Sequence, residues 1–475
     1  MNTVFDPLHL QAAALDVAAA SHATPTLLMQ RQQQRLTRLL DAAREGSAFY
    51  RERLGSGRIA RLSRLPAVTR AELMDRFDAW VTDPALRLDE LRAFTRDATR
   101  IGQPWLGKYM VWESSGTSGM PGVFVQDAQA MAVYDALEAV RHRVPGRGAG
   151  GASGFFGPLF SSFSALEAVG AADRTALVTA TGGHFASIVS FERLRQINPW
   201  LGHNARAFSL MQPVGELVAQ LNAFEPSVLA TYPTMAAVLA DEADAGRLVI
   251  RPRCVVLGGE TLGEGMRARI ALALGAAVRS SYGASEVLPI AWECAHGHLH
   301  VNEDWVILEP VDDKRRPVPL GQPSHSVLLT NLANLVQPLI RYDLGDRVRA
   351  HRGRCACGSP LPVIDVQGRC DDVLRVPAAG KEKSDTISLL PMALCTVVEE
   401  ECGLYDFQLE QRNPHTLVLR VPQSGEQANA AIGRCRTALQ RFAATQGAAP
   451  IQVLGETGCA TPRGRSGKAC RVAFG

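Results

Sequence analysis

The sequence predicts an α/β fold with a largely parallel sheet, a β-rich stretch and a small α+β unit at the C-terminal end. Three observations carry this. Short β-like runs alternate with Ala/Leu-rich helical segments through the middle of the chain: SVLATYP leads into TMAAVLADEADAG, CVVLGGE into GMRARIALALG, and AAVRSSYG follows. Between about 300 and 366 the runs turn β-rich. Beyond Cys370, helical and strand patterns resume for about 100 residues.

Taken in order, Thr26 to Leu54 has helical apolar spacing, with Leu36, Leu39, Leu40 and Ala43 on one face. A second amphipathic stretch follows Pro66, with Thr69 as its cap. Over 109–127 an apolar run meets a Gly/Ser/Thr loop and then VFV, which has strand character. The β-rich segments are HVNEDWVILEPV, HSVLLTNLAN, QPLIRYDLGDRVRAHRG and LPVIDV. The stretch GRCDDVLRVPAAGKEKSD supplies polar and turn residues, so the boundary is placed there, dividing 1–369 from 370–475. The last unit contains MALCTVVEEE, YDFQLEQR, TLVLRVP and ANAAIGRCRTALQRFAA. No internal repeat recurs at a fixed period.

Composition removes several classes. Hydrophobic residues are 46% and charged residues 20%, which excludes wholesale disorder. The 50 basic and 47 acidic residues leave +3 without a dominant basic block, so nucleic-acid binding has no support. No uncharged apolar run reaches membrane-spanning length. Asp6, His9 and Asp16 interrupt the N-terminal apolar residues, so no signal peptide is expected and the cytoplasm is the expected location. The ten cysteines are then expected as thiols or metal ligands.

The loop Ser114, Ser115, Gly116, Thr117, Ser118, Gly119 concentrates residues whose backbone N–H groups and hydroxyls suit an anion. It lacks the Lys-Ser/Thr closure of a Walker loop. Four further segments follow in order: SYGASEV (281–287), IRYDLGDRV (340–348), GRCDD (368–372) and RSGKACRV (465–472). With SSGTSGMPG they make the chain resemble the adenylate-forming ligase superfamily over nearly its whole length. Within it, the chain is most similar to the phenylacetate–coenzyme A ligase branch. SAFYRERL and LHVNEDW also resemble that branch.

The resemblance implies a large adenylate-forming domain followed by a small mobile C-terminal domain. It implies that a small carboxylic acid attacks the α-phosphate of ATP, giving an acyl-adenylate and pyrophosphate. A nucleophile, usually the thiol of coenzyme A, then displaces AMP. Ser114 to Gly119 would hold the β- and γ-phosphates. Glu286 would ligate Mg²⁺. Tyr282 would stack on adenine, with Gly283 and Ser285 in the same segment and Gly258, Gly259 and Glu260 at the strand end beside the base. Asp346 would accept from the ribose hydroxyls, and Arg369 would assist at ribose or phosphate. Asp371, or Asp372 in its place, would be the hinge. Lys468 would contact the carboxylate and α-phosphate. A homodimer is implied by the branch alone. Two departures stand out. Met120 occupies a position where many family members have Lys, and LRVPAAGKEKSDTISLLP differs from the branch's Gly-Val-Asn-Val-Phe-Pro stretch, which leaves a carrier-protein thiol, an amine or another small nucleophile open as acceptor.

Two clusters hold soft ligands: Cys294-Ala-His296-Gly-His298-Leu-His300 and Cys355-Ala-Cys357-Gly358. A Cys-x-Cys hairpin can present two thiolates to one metal. Cys294, His300, Cys355 and Cys357 would complete a Cys₃His site, with His298 or His296 as substitutes for His300. Four soft ligands favour zinc over iron, in a structural role. For the acid's tail, Phe155, Phe156, Phe160 and Phe163 are the candidates, with Tyr232, Gly258 and Ala284. The phenylalanines suggest an aromatic acid. His184 could approach the carboxylate.

Overall fold

A computed structural model describes residues 4–55, 62–114, 121–141, 174–369, 373–380, 386–389, 391–463 and 468–474. Ser115 to Met120, Phe155, Phe156, Phe160, Phe163, Asp371 and Asp372 lie outside the described residues.

The N-terminal helices follow their capping residues. Asp6 accepts from the Leu8 and His9 amides and starts the helix Pro7–Ala20. Thr24 caps Pro25–Gly46, which buries Leu28 together with the expected Leu36, Leu39, Leu40 and Ala43. The apolar spacing runs on to Leu54, but the helix breaks at Ser47. That hydroxyl accepts the Tyr50 N–H at 3.2 Å and starts a new helix, Ala48–Leu54. Gly46 explains the tight approach there, since a Cβ on it would stand 2.6 Å from Thr82 Cβ. Thr69 caps Arg70–Asp75 through the Glu72 N–H, as the sequence predicts.

Strands β1 (Met110–Glu113) and β2 (Val123–Gln126) form an antiparallel pair. Next come β3 (Thr175–Thr179), β4 (Ala205–Ser209), β5 (Val228–Thr231), β6 (Cys254–Gly258) and β7 (Ala277–Tyr282). These pair in parallel in the order β4-β3-β5-β6-β7. Helices Val214–Phe224, Pro233–Asp244 and Glu264–Leu274 supply the crossovers after β4, β5 and β6.

The β-rich stretch divides between two sheets. β8 (Ala291–Glu293) and β9 (Leu299–Val301) continue the central sheet in antiparallel fashion. β10 (Val306–Val311), β11 (Ser326–Asn331) and β12 (Tyr342–Asp343) form a three-stranded sheet of their own. β13 (Asp346–Ala350) and β14 (Val363–Arg369) return to the edge of the central sheet, giving it nine strands among the described residues. Sequence spacing shows strands but not their partners, and strand pairing over such separations is a tertiary choice.

The C-terminal subdomain contains a hairpin, β15 (Leu374–Pro377) with β16 (Thr386–Leu389). It also contains a four-stranded sheet of β17 (Gln408–Asn413), β18 (Thr416–Val421), β19 (Gln452–Thr457) and β20 (Val472–Phe474), in the order β19-β18-β17-β20. The helix Glu426–Thr445 packs on it, with Ile432, Cys435 and Leu439 buried. All buried members of its core fall between Leu374 and Val472. A larger core joins the N-terminal helices to β1, β2 and β11, and another lies between the crossover helices and β3, β5, β6 and β7. Among the described residues, no helix is long and apolar enough to cross a membrane.

Candidate active site

In an open sheet of parallel strands, ligands bind beyond the carboxyl ends where strand order reverses. Here the order reverses between β3 and β5. Thr179 ends β3, and its hydroxyl lies 3.0 Å from the Tyr232 hydroxyl just past β5. Ser187 Oγ lies 3.4 Å from Thr179 Oγ1 on the other side. The ends of β6 and β7 bring Gly258 to Glu260 and Tyr282 to the same rim.

Gly258 permits close strand approach, since a Cβ there would meet Ser281 Oγ at 2.8 Å. Gly259 has φ +78°, in the left-handed region that favours glycine. Its bare backbone faces the C-terminal subdomain. A Cβ on it would stand 2.9 Å from Lys468 Cε and 3.1 Å from Tyr232 Cε1. The Lys468 Nζ is 6.0 Å from the centre of the Tyr232 ring. Desolvation pulls the Lys468 pKa below the ordinary lysine value, and the nearby carboxylates of Glu260, Asp346 and Glu286 oppose that shift.

Glu260 is fully engaged. Its Oε2 accepts the Thr234 N–H at 3.0 Å. Its Oε1 accepts the Thr234 hydroxyl at 3.1 Å and the Ala469 N–H at 2.7 Å. The carboxylate thus joins the start of the helix Pro233–Asp244 to the residue after Lys468.

Tyr282, Gly283, Ala284, Ser285 and Glu286 form a tight turn after β7. The Ala284 N–H donates to the Val287 carbonyl at 2.9 Å, and Val287 returns a bond at 3.1 Å. Gly283 has no alternative, because a Cβ there would lie 1.8 Å from the Leu288 carbonyl oxygen. Trp112 Nε1 donates to the Ser285 carbonyl at 2.7 Å, fixing the turn to β1. The turn buries Glu286, whose Oε1 accepts from the Tyr342 hydroxyl at 2.6 Å.

Asp346 begins β13 opposite Arg369, which ends β14. The Arg369 Nη1 to Asp346 Oδ1 distance is 3.3 Å, and the Tyr282 hydroxyl donates to Asp346 Oδ2 at 2.7 Å. Burial raises the Asp346 pKa, and the Arg369 guanidinium and Tyr282 hydroxyl oppose it. Burial beside Asp346 holds the Tyr282 hydroxyl well above the usual phenol value, so it stays a donor.

Ser114 sits at the neck of the Gly/Ser/Thr loop. Its N–H donates to the Gly122 carbonyl at 2.8 Å, and its Oγ accepts the Gly122 N–H at 2.8 Å. The hydroxyl therefore pins the loop's two ends together. Ser115 to Gly119 lie outside the described residues, as do Phe155, Phe156, Phe160 and the Asp371 hinge. His184 is buried with Nε2 2.9 Å from the Asp97 carbonyl, and its own carbonyl accepts the Glu113 N–H at 2.7 Å. It braces β1, next to Ser114.

Away from this rim, the Cys/His cluster assembles from β8, β9 and the loop before β14. The ligand atoms of Cys294, His300, Cys355 and Cys357 all lie within 4.8 Å of one another. Cys294 Sγ is 3.8 Å from Cys355 Sγ, and Cys357 Sγ is 3.3 Å from His300 Nε2. His300 Nδ1 lies 2.9 Å from the Leu361 carbonyl, which turns Nε2 toward the thiols. The Cys357 and Ser359 N–H groups donate to Cys355 Sγ at 3.5 Å and Cys357 Sγ at 3.4 Å. Of the three histidines in CAHGHLH, His300 is the one brought in, because β9 pairs with β14 and carries it to the loop.

Three contributors escape sequence reading. Tyr342 holds Glu286, Thr234 holds Glu260, and Trp112 holds the Ser285 carbonyl. Tyr342 stands inside IRYDLGDRV, but nothing in its spacing says where its hydroxyl reaches.

The chain has the fold of adenylate-forming ligases. It is similar to 2-hydroxyisobutyryl-CoA ligase in the postadenylation state in complex with R3-HIB-AMP. The TM-score is 0.69 and the identity 19%, covering 96% of this chain and 91% of that one. The same ligase in complex with 2-HIB-AMP and CoA in the thioesterification state gives 0.56 at 20% identity, with the same 96% and 91% coverage. The amide bond synthetase McbA from Marinactinospora thermotolerans gives 0.50 at 13% identity, over 76% of this chain and 67% of that one. No family model and no curated protein sequence matches the chain.

Proposed function

We propose that the chain is an AMP-forming acid–coenzyme A ligase. The carrying observation is the convergence at one rim of Lys468, Glu286, Asp346 and Arg369, drawn from both parts of the molecule. Lys468 suits the acid carboxylate and the α-phosphate, where a cation offsets the charge that gathers as the carboxylate oxygen attacks phosphorus and pyrophosphate leaves. Glu286, held by Tyr342, is the hard carboxylate suited to Mg²⁺. Asp346 presents acceptor oxygens to ribose hydroxyls, with Arg369 beside it, and Tyr282 with the Gly258 and Gly259 backbone flanks the base. The thiol of coenzyme A then attacks the acyl carbonyl and AMP departs.

The finer assignments are part of the same proposal. The acid is aromatic, as in the phenylacetate ligase branch that the motifs resemble. The chain works as two units, 1–369 and 370–475, turning about Asp371 between half-reactions, in the cytoplasm. The Cys₃His cluster holds a structural Zn²⁺. A tetrahedral ion with Zn–S bonds of about 2.3 Å needs sulfur atoms about 3.8 Å apart, and the Cys294–Cys355 spacing is 3.8 Å. A second acceptor, a carrier-protein thiol or an amine, is favoured only by the departure of LRVPAAGKEKSD from the branch pattern.

The test is pyrophosphate release from Mg·ATP across aryl, arylacetic, hydroxy and short aliphatic acids, each with and without coenzyme A. Release that coenzyme A accelerates, with a thioester product, is expected. Release indifferent to coenzyme A would move the acceptor to a carrier thiol or an amine. No release with any acid would remove the ligase reading.

A further inference from the structure

The segment that carries Lys468 touches the large part of the molecule at successive points along one loop. The aliphatic end of Lys468 lies over bare Gly259, where a Cβ would stand 2.9 Å from Cε. The next residue, Ala469, donates its N–H to Glu260 Oε1 at 2.7 Å. Two residues further, buried Arg471 donates to Glu399 of its own subdomain, and it is Glu399 that meets the large part, its Oε2 2.7 Å from where a Cβ on Gly263 would stand. Glu260 is itself fixed by both donors of Thr234, at 3.0 and 3.1 Å. Its position is therefore set before the C-terminal segment arrives.

We infer that Glu260 is a positioning residue that docks the Ala469 backbone and so sets Lys468 at the rim, rather than a ligand of the nucleotide base. The chemistry favours this. A carboxylate accepting a backbone N–H makes a short, charge-assisted bond. Its partner atom belongs to the main chain, so the contact fixes the register of the lysine segment whatever the neighbouring side chain is. Gly259 and Gly263 keep the surface low on either side, so the segment can lie flat. The arrangement is one that must be released when the C-terminal subdomain leaves the rim. A single hydrogen bond onto a prefixed carboxylate can hold and let go without refolding either part.

The role in catalysis rests on the ligase reading, but the docking itself is measured without substrate. Hydrogen exchange followed by mass spectrometry reports the Ala469 amide directly. Glu260→Ala should speed exchange in the peptide spanning 468–474 by about tenfold or more, the scale of a lost charge-assisted bond. Exchange in β5, β6 and β7 should stay as in the wild type. Glu260→Gln keeps one acceptor oxygen for Ala469 but turns its NH2 on the Thr234 N–H, so it should restore protection only in part, and Thr234→Val, which removes the hydroxyl bond to Oε1 but keeps the N–H bond to Oε2, should lose less protection than Glu260→Ala. On an acid the enzyme accepts, Glu260→Ala should slow acyl-adenylate formation about tenfold or more. It should leave transfer from preformed adenylate, and the KM for ATP, nearly unchanged. Unchanged exchange at 468–474 in Glu260→Ala, or faster exchange spread through β5–β7, would overturn the docking role. A raised KM for ATP with unaltered exchange would return Glu260 to the nucleotide. If the wild type activates no acid, the ligase reading falls while the exchange result still decides the docking.

Discussion

Lys468 is held by opposing forces. Desolvation against Gly259 and Tyr232 disfavours its charge, and Arg369 does so too, while Glu260 after β6, Glu286 after β7 and Asp346 at the start of β13 favour it. The net direction is downward, so the ammonium deprotonates at a lower pH than an ordinary lysine. The charged form is the useful one, complete below the folded-state pKa and lost as pH rises through it. Adenylate formation should therefore fall on an alkaline limb below the usual lysine range. Glu260→Gln removes the largest opposing carboxylate yet keeps one acceptor oxygen for Ala469, so its limb should move to lower pH with a smaller loss of rate near neutrality than in Glu260→Ala. Pyrophosphate release measured across pH checks this. A limb that stays put in Glu260→Gln would take Lys468 out of the pH dependence. Glu286 is stationed differently, by a buried hydrogen bond from Tyr342.

At the scale of elements, the Cys/His cluster shows how short strands can be fastened. β8 and β9 have three residues each, too few to be stable alone. The cluster brings β8 and β9 to the 355–357 loop ahead of β14, so metal bound there, as proposed, would couple to local folding. Cys355→Ser should lose most of the bound metal and lower the unfolding midpoint, with much smaller effects on which acid is used. Metal content by mass spectrometry and thermal unfolding check this, and full metal in the variant would remove Cys355 as a ligand. The turn after β7 is fastened by space alone, with the Leu288 carbonyl packed where any side chain on Gly283 would begin.

Across the whole molecule, the C-terminal subdomain carries its own core, and its Glu399–Arg471 pair lies buried where it meets Gly263. A buried pair contributes little net stability, yet breaking it strands a charge. Arg471→Met should therefore cost about 3 kcal/mol or more. Adding Glu399→Leu should recover much of that loss, because no buried charge remains. Denaturant unfolding of the single and double variants checks this. Equal loss in both would show that the pair acts through shape, not charge.

The sequence by itself determined what local chemistry dictates. Alternating strand and helix patterns marked the parallel strands, because periodicity is a property of neighbours in the chain. Thr69 was legible as a cap for the same reason, and the three cysteines of the Cys/His cluster, with a run of histidines beside one of them, were legible from soft residues at short spacing. Only the tertiary structure decided what depends on partners far along the chain. It split the β-rich stretch between two sheets and broke the predicted long helix at Ser47 against Thr82. It chose His300 from three histidines because β14 pairs beside it. It turned Ser114 inward to Gly122 and His184 to the Asp97 carbonyl. It also gave Glu260 to Ala469, a bond across 209 residues that no local pattern encodes, because a carboxylate's partner is set by which backbone the fold carries to it.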